Sequence, residues 1–416
     1  MAWLGGEDLE QNVVLEVENG RFTAIRPESD IDDGRRLPGV TLPGMVNAHS
    51  HAFHRELRGL THRQGGDFWL WRDLMYQVAG ELTPESYEEI ATRVFTEMAL
   101  AGFTTVGEFH YVHHQPGGVP YENPNEMGDA LIRAARSVGI RIALLDAGYL
   151  AGGLDERPLN PVQTRFSDGT AENWLDRVEA MTDLYADDQD VRIGLAPHSV
   201  RAMPEAGLSL LASRRSPGTP THIHVSEQPS ENADCLAHTG VTPVGLLERV
   251  GLLGPGTTAV HATHLTATDI SLLGKSATGV CYCATTERDL ADGIGPALAL
   301  KSAGSPLSVG TDSHAVIDPF EETRGLELHN RLLTGKRGEF APTYLLEAAT
   351  SNGAVALGFD PGGLVVGANA DFMTVSASSP RTNGLSKDEG VAQTVFSAAA
   401  ADVTDVVVAG RPILRG

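Results

Sequence analysis

Eight short apolar runs of β character recur along the middle of the chain, and a stretch of helical character separates each from the next. They cover residues 41–49, 103–109, 141–146, 191–196, 221–225, 258–261, 279–283 and 307–310. The helix boundaries between them are legible. Thr83 is a good N-cap, followed by Pro84 at the first position of a predicted helix over 84–101, and a second helix is expected over 126–138. Gly102 and Gly139 fall just past the two ends, where left-handed backbone is common. Eight β runs alternating with helices over about 320 residues predict an α/β fold, a (β/α)8 TIM-like barrel, not an open sheet.

The two ends of the chain read differently. Residues 12–18 partly alternate, Asn19-Gly20 is a hairpin dipeptide, and residues 21–25 continue as a strand. Near the other end, the turn Gly367-Ala368-Asn369-Ala370-Asp371 leads into β-like segments at 372–375 and 405–414. A small β-sandwich domain built from residues 1–43 and 363–416 is therefore expected, set against a catalytic barrel over 44–362.

A barrel places its chemistry at the C-terminal ends of its strands. The first run ends in Asn47-Ala48-His49-Ser50-His51, and the period of two puts both imidazoles on one side, within reach of one Zn²⁺. The fifth ends in His222-Ile223-His224-Val225-Ser226-Glu227. His224, nearest the strand end, is expected to face the axis, and His222 to be a packed structural residue. Glu227 follows by one loop step, where a carboxylate beside a metal-activated water can move protons. The sixth run closes on His261, with His264 in the next turn facing solvent or orienting a neighbour. The eighth leads into Asp312, which is either a final ligand or base, or an N-cap for the next helix.

Histidine supplies only 15 of 416 residues, so its convergence on these strand ends points to a metal centre. The chain's lysines, Lys275, Lys301, Lys336 and Lys387, end none of the runs. That removes the bridging carboxylated lysine of a two-metal site. One divalent ion is expected on His49, His51, His224 and Asp312. Three nitrogens and a carboxylate favour Zn²⁺, with Fe²⁺ or Mn²⁺ as alternatives. Cys281 and Cys283 read as small buried apolar residues, and three cysteines make no disulfide framework. A net charge of −23 repels phosphate backbones and argues against a nucleic-acid partner. No apolar run reaches the ~20 residues of a membrane span, and the start has no basic or apolar leader, so a cytoplasmic protein with no membrane partner is expected.

The segments Asn-Ala-His-Ser-His, His-Val-Ser-Glu, Val-His-Ala-Thr-His and Gly-Thr-Asp-Ser-His, in this order, resemble the mononuclear deaminase branch of the amidohydrolase superfamily. The turn at 367–371 fits the same branch, and the resemblance spans nearly the whole chain. It implies a homodimer, the same four metal residues, a catalytic pair at Glu227 and His261, and Asp312 as acceptor of the water proton. The similarity sharpens at residues 49–55, 68–72, 108–114 and 196–201. There it resembles members that release ammonia from a linear amidine carried on a dicarboxylic acid, and it implies substrate contacts at Arg72, Tyr111, His198 and Arg201. Arginine suits that role because its fork matches a carboxylate bidentately. One departure is His54, which stands where glutamine is expected facing the substrate and is shorter and able to carry charge. Phe68-Trp69-Leu70-Trp71 is expected to pack, and Glu108, His110, His113 and His114 to be structural. The alternative is a sibling acting on a purine, pterin or triazine, which would want an apolar or amide-lined pocket in place of Arg72 and Arg201.

Overall fold

The computed structural model describes residues 1–27, 34–62 and 68–414. Its strands, in chain order, are β1 (Val13–Glu18), β2 (Arg21–Pro27), β3 (Gly39–Pro43), β4 (Met45–Ser50), β5 (Phe103–His110), β6 (Arg141–Gly148) and β7 (Val191–Pro197). They continue with β8 (Thr221–Val225), β9 (Thr257–His261), β10 (Gly279–Tyr282), β11 (Leu307–Val309), β12 (Phe372–Ser376), β13 (Val403–Val408) and β14 (Arg411–Leu414). Strands β4 to β11 lie in sequence order in one parallel sheet. The sheet closes on itself through a parallel bridge between Ser50 and Asp312. The His51 amide donates to Asp312 O at 3.1 Å, and the Asp312 amide to His49 O at 3.0 Å. Beneath these bonds, Asn47 Nδ2 donates to Thr311 Oγ1 at 2.7 Å and Asn47 Oδ1 accepts from the Thr311 amide at 2.9 Å. The seam of the barrel is thus made by the residues that flank its proposed ligands.

The first predicted run does not form one strand. It breaks at Gly44, where a Cβ would sit 2.2 Å from Thr104 Oγ1. Residues before the break, as β3, pair antiparallel with β12, and only those after it enter the barrel. Apolar character was continuous across the break because both halves are buried, one in each sheet. The second layer is the four-stranded antiparallel sheet β14-β13-β12-β3, facing the β1–β2 hairpin. Phe22, Leu364, Ala370, Phe372 and Val407 fill the space between, with Val13, Leu15 and Ile25 against them. Both chain ends therefore contribute to one β-sandwich.

The helices form where their ends are specified. Helix α1 covers Phe68–Glu81 and α2 covers Pro84–Ala101. Thr83 caps α2 by accepting from the Ser86 amide while Ser86 returns a bond, and Gly102 leaves it at φ 104°. Tyr87, Ile90, Ala91, Val94, Phe95 and Met98 recur at helical spacing and are buried. Helix α3 runs over Glu126–Val138, and Gly139 ends it at φ 90°. Helix α4 covers Ala171–Leu184. No helix among the described residues is long and apolar enough to cross a membrane.

Helix α4 also resolves a polar cluster at the ends of β5 and β6. Asp146 is fully buried, yet Arg177 grips both its oxygens at 2.8 Å and Trp174 Nε1 donates at 3.0 Å. Arg177 also binds Asp168 at 2.9 Å, and His114 reaches Asp168 at 3.0 Å. His110 and His113 stand beside this network, but a guanidinium already occupies the carboxylate that a cation would need. These groups are structural. Arg177→Met strands two buried carboxylates, and the expected loss is about 3–5 kcal/mol of stability. Urea unfolding checks it, and an unchanged midpoint would show that the network contributes nothing.

Candidate metal centre and active site

Strand β4 delivers His49 and His51, β8 delivers His224, and the turn after β11 delivers Asp312. Their inner atoms nearly touch. His224 Nε2 is 3.2 Å from His49 Nε2 and 3.4 Å from His51 Nε2. Asp312 Oδ1 is 3.5 Å from His49 Nε2 and 3.4 Å from His51 Nε2. A tetrahedron of ligands about 2.05 Å from Zn²⁺ has edges of ~3.3 Å.

The proton positions explain why a cation fits. His51 Nδ1 lies 2.9 Å from Phe109 O, and His224 Nδ1 lies 2.8 Å from His198 O. A carbonyl can only accept, so each Nδ1 carries the proton and each Nε2 presents a lone pair to the centre. Burial lowers the pKa of all three imidazoles, and of His51 and His224 most strongly. Two lone pairs 3.4 Å apart beside a carboxylate repel one another unless a cation lies between them. The donor set therefore fits a divalent ion.

Asp312 is not an N-cap. That role falls to Asp318, which caps the helix Pro319–Thr334. Asp312 has φ 43°, and Ser226, His261, Ala262 and His314 are also left-handed. Non-glycine residues held there cost on the order of 1 kcal/mol each, and here they turn side chains inward at strand ends. Gly310 lets the last strand approach the first, since a Cβ there would lie 2.7–2.8 Å from His49 backbone and Cβ atoms. Gly310→Ala should push His49 away from Asp312 and lower metal affinity by about 10–100-fold. Metal titration of the apoprotein checks this, and unchanged affinity would show that the seam can yield.

Glu227 and His261 meet at the open side of the cage. His261 Nε2 lies 3.9 Å from Glu227 Oε1 and 3.8 Å from Asp312 Oδ2. Burial would lower the His261 pKa, but Glu227, Glu287 and Asp312 surround the ring and hold it well above the ordinary value. Glu287 Oε1 faces His261 Nδ1 at 3.4 Å and accepts from the Cys283 amide at 3.0 Å. Sequence reading missed Glu287 because it follows a run with no polar end. Glu108 accepts from Ser50 Oγ at 2.5 Å and the Ala52 amide at 2.6 Å, so it clamps the segment carrying His49 and His51. Burial pushes its pKa up to about 8.

A cavity of about 150 Å³ opens beside the cage, and Arg72, Tyr111, His198, Arg201 and His54 all line it. His54 Nε2 lies 2.7 Å from Tyr111 OH, and burial drives its pKa down to about 3. Burial thus disfavours the charged form of His54. Arg72 lies 5.7 Å from the Tyr76 ring centroid. Trp71, expected only to pack, sets its edge against His54 and also lines the cavity, while the side chains of Phe68 and Trp69 lie outside the described residues. His222 bonds to Ala356 O at 2.8 Å as a structural residue, and His264 bonds to Asp292 O at 2.7 Å. Cys281 and Cys283 are buried and free. Arg157, Tyr149 and Gln163 also line the cavity, and no local pattern marked them. Gln163 Nε2 donates to Tyr149 OH at 2.8 Å and Tyr76 OH at 3.1 Å.

Known proteins resemble this chain in sequence and fold. A model of the amidohydrolase family matches residues 40–413. Formimidoylglutamate deiminase of Pseudomonas aeruginosa is 35% identical over 97% of this chain and 91% of its own. The 8-oxoguanine deaminase of the same organism is 31% identical over 91% of this chain and 83% of its own. An amidohydrolase from Brucella melitensis superposes with a TM-score of 0.91 at 32% identity, covering 100% of this chain and 93% of that one. An adenosine deaminase from Xanthomonas campestris, solved with bound zinc, gives 0.85 at 26% identity over 100% of this chain and 91% of that one. A buried three-histidine, one-carboxylate cage at the mouth of a parallel barrel, within a family match over almost the whole sequence, makes this chain a member of the amidohydrolase family.

Proposed function

We propose that this protein hydrolyses N-formimino-L-glutamate to N-formyl-L-glutamate and ammonia, using one divalent ion, Zn²⁺, held by His49, His51, His224 and Asp312. The observation that carries the reading is the cavity lining. A chain of net charge −23 gathers Arg72, Arg157 and Arg201 around the space beside its cage, as a substrate with two carboxylates requires. The similarity to formimidoylglutamate deiminase supports the same substrate.

When bound, the ion lowers the pKa of water toward about 7 and so provides a nucleophile at neutral pH. Asp312 Oδ2, turned toward His261, accepts the water proton. His261 donates a hydrogen bond to the attacking oxygen and aims it at the formimino carbon. Attack forms the C–O bond and leaves a tetrahedral carbon with two nitrogens. Glu227 takes the proton of the new hydroxyl as the carbonyl forms and delivers it to the terminal nitrogen of the adduct, so that the C–N bond breaks and ammonia leaves, while the proton on Asp312 returns to solvent. Arg72 and Arg201 hold the carboxylates at the far end.

The aromatic members of the lining, Trp71, Tyr111, Tyr149 and Phe166, would suit a flat heterocycle and keep a purine, pterin or triazine as the second reading. A coupled ammonia assay separates the two. N-formimino-L-glutamate should release ammonia, and guanine, adenosine and cytosine should not. Elemental analysis should find one ion per chain, and a chelator should abolish turnover until metal is restored. No ammonia from N-formimino-L-glutamate would remove the substrate assignment.

A further inference from the structure

The loop after β7 sends Arg201 against the very carboxylate proposed to move protons. Arg201 Nη2 donates to Glu227 Oε2 at 3.4 Å. On the other side of the guanidinium, Nε lies 3.8 Å from Glu231 Oε2, with no hydrogen-bond acceptor of its own. Glu231 is buried completely. Its Oε2 accepts from the Glu227 amide at 3.3 Å, and its Oε1 is unpartnered. A guanidinium has five N–H donors. This one is more than two-thirds buried, opens into the cavity, and makes a single long hydrogen bond.

These contacts have a consequence for specificity. A carboxylate entering the cavity can meet the fork of Arg201 bidentately, with short charge-assisted bonds that the 3.4 Å contact cannot match. Glu227 Oε2, now in the grip of Arg201, would then be free to face the amidine nitrogen. Glu231 stays behind as a nearby charge 3.8 Å from Nε and keeps its bond to the Glu227 amide, so the exchange turns the guanidinium without displacing the loop.

We propose that Arg201 is a specificity-determining latch on Glu227: with no anion in the cavity it holds the catalytic carboxylate, and a carboxylate of the substrate releases it. The inference rests on the proposed deimination of a dicarboxylic amidine. It makes the substrate's carboxylate a condition for chemistry, so discrimination appears in kcat and not only in KM.

The test divides the substrate into two pieces, formamidine as the bare amidine and glutarate as the free diacid. In the metal-loaded wild-type protein, formamidine should turn over slowly, and saturating glutarate should raise its kcat by about tenfold, the scale of one charge-assisted hydrogen bond. Arg201→Met should turn over formamidine about tenfold faster than wild type without glutarate and ignore glutarate, while its KM for N-formimino-L-glutamate rises. Glu231→Gln should leave Arg201 wholly on Glu227, giving a lower formamidine kcat that glutarate still raises. Glutarate that leaves or lowers the wild-type kcat overturns the latch, as does an Arg201→Met protein no faster than wild type, including one in which neither turns over formamidine. If Arg201→Met fails to fold or to hold metal, the wild-type glutarate arm decides alone. Failure of N-formimino-L-glutamate itself would instead strike the substrate assignment, because the formamidine measurements do not use it.

Discussion

Glu227→Gln keeps its metal and loses about 10²–10⁴-fold in kcat. The reasoning is geometric. Glu227 lies outside the four-atom cage, reaching His261 at 3.9 Å and Arg201 at 3.4 Å, so an amide of the same shape leaves the ligands in place. An amide cannot carry a proton to the departing nitrogen, and without that proton the leaving group would be an amide anion. The loss should appear in kcat, because the substituted amide keeps the shape of the side chain but not its proton. Elemental analysis with steady-state kinetics checks both halves of the expectation. A variant with full metal and unchanged kcat would take Glu227 out of the mechanism.

The metal-free protein should unfold sharply in mild acid. Nine histidines have pKa values lowered by burial, among them His54 to about 3 and His113 and His222 to about 4. In the unfolded chain each takes a proton near pH 6.5, while in the folded protein it stays neutral. Below that pH the unfolded state binds more protons, and stability falls until the folded pKa values are reached. Five carboxyls work the other way. Burial raises Glu108 and Asp292 to about 8 and lifts Glu231, Asp318 and Glu322, so the folded state holds their protons. The histidines outnumber these carboxyls, so stability should fall as the pH drops below about 6.5. Bound metal should raise stability across this range without changing the slope, because the ligand imidazoles are neutral in the folded state with or without it. Urea midpoints of the apoprotein between about pH 7 and pH 5 measure it. A flat midpoint would mean that the buried imidazoles gain protons without unfolding.

The cage was legible in the sequence because each of its members ends a β run. His49, His51 and His224 are read from strand periodicity plus the rule that barrels work at their C-terminal ends. Asp312 was ambiguous by itself, and the ambiguity ended when Asp318 proved to cap the next helix. The arginines that line the cavity had no such local signal. Arg72 and Arg201 came from resemblance, and Arg157 from nothing at all. Glu287 looks like any other of the chain's 54 acidic residues, and Glu108 read only as structural; their burial beside His261 and Ser50 shows what each one holds.

What the chain determined by itself was the alternation of strands and helices, the ends of α2 and α3, and the identity of the side chains at the barrel mouth. These depend on periodicity, capping and turn chemistry within a few residues. Tertiary structure alone decided that one apolar run divides at Gly44 between two sheets, that the barrel closes through Ser50 and Asp312, that His54 is buried against Tyr111, and that Arg201 touches Glu227. Each of these depends on groups far apart in the chain, and on the loss of water around them. Burial and the approach of distant charges leave no mark on local sequence.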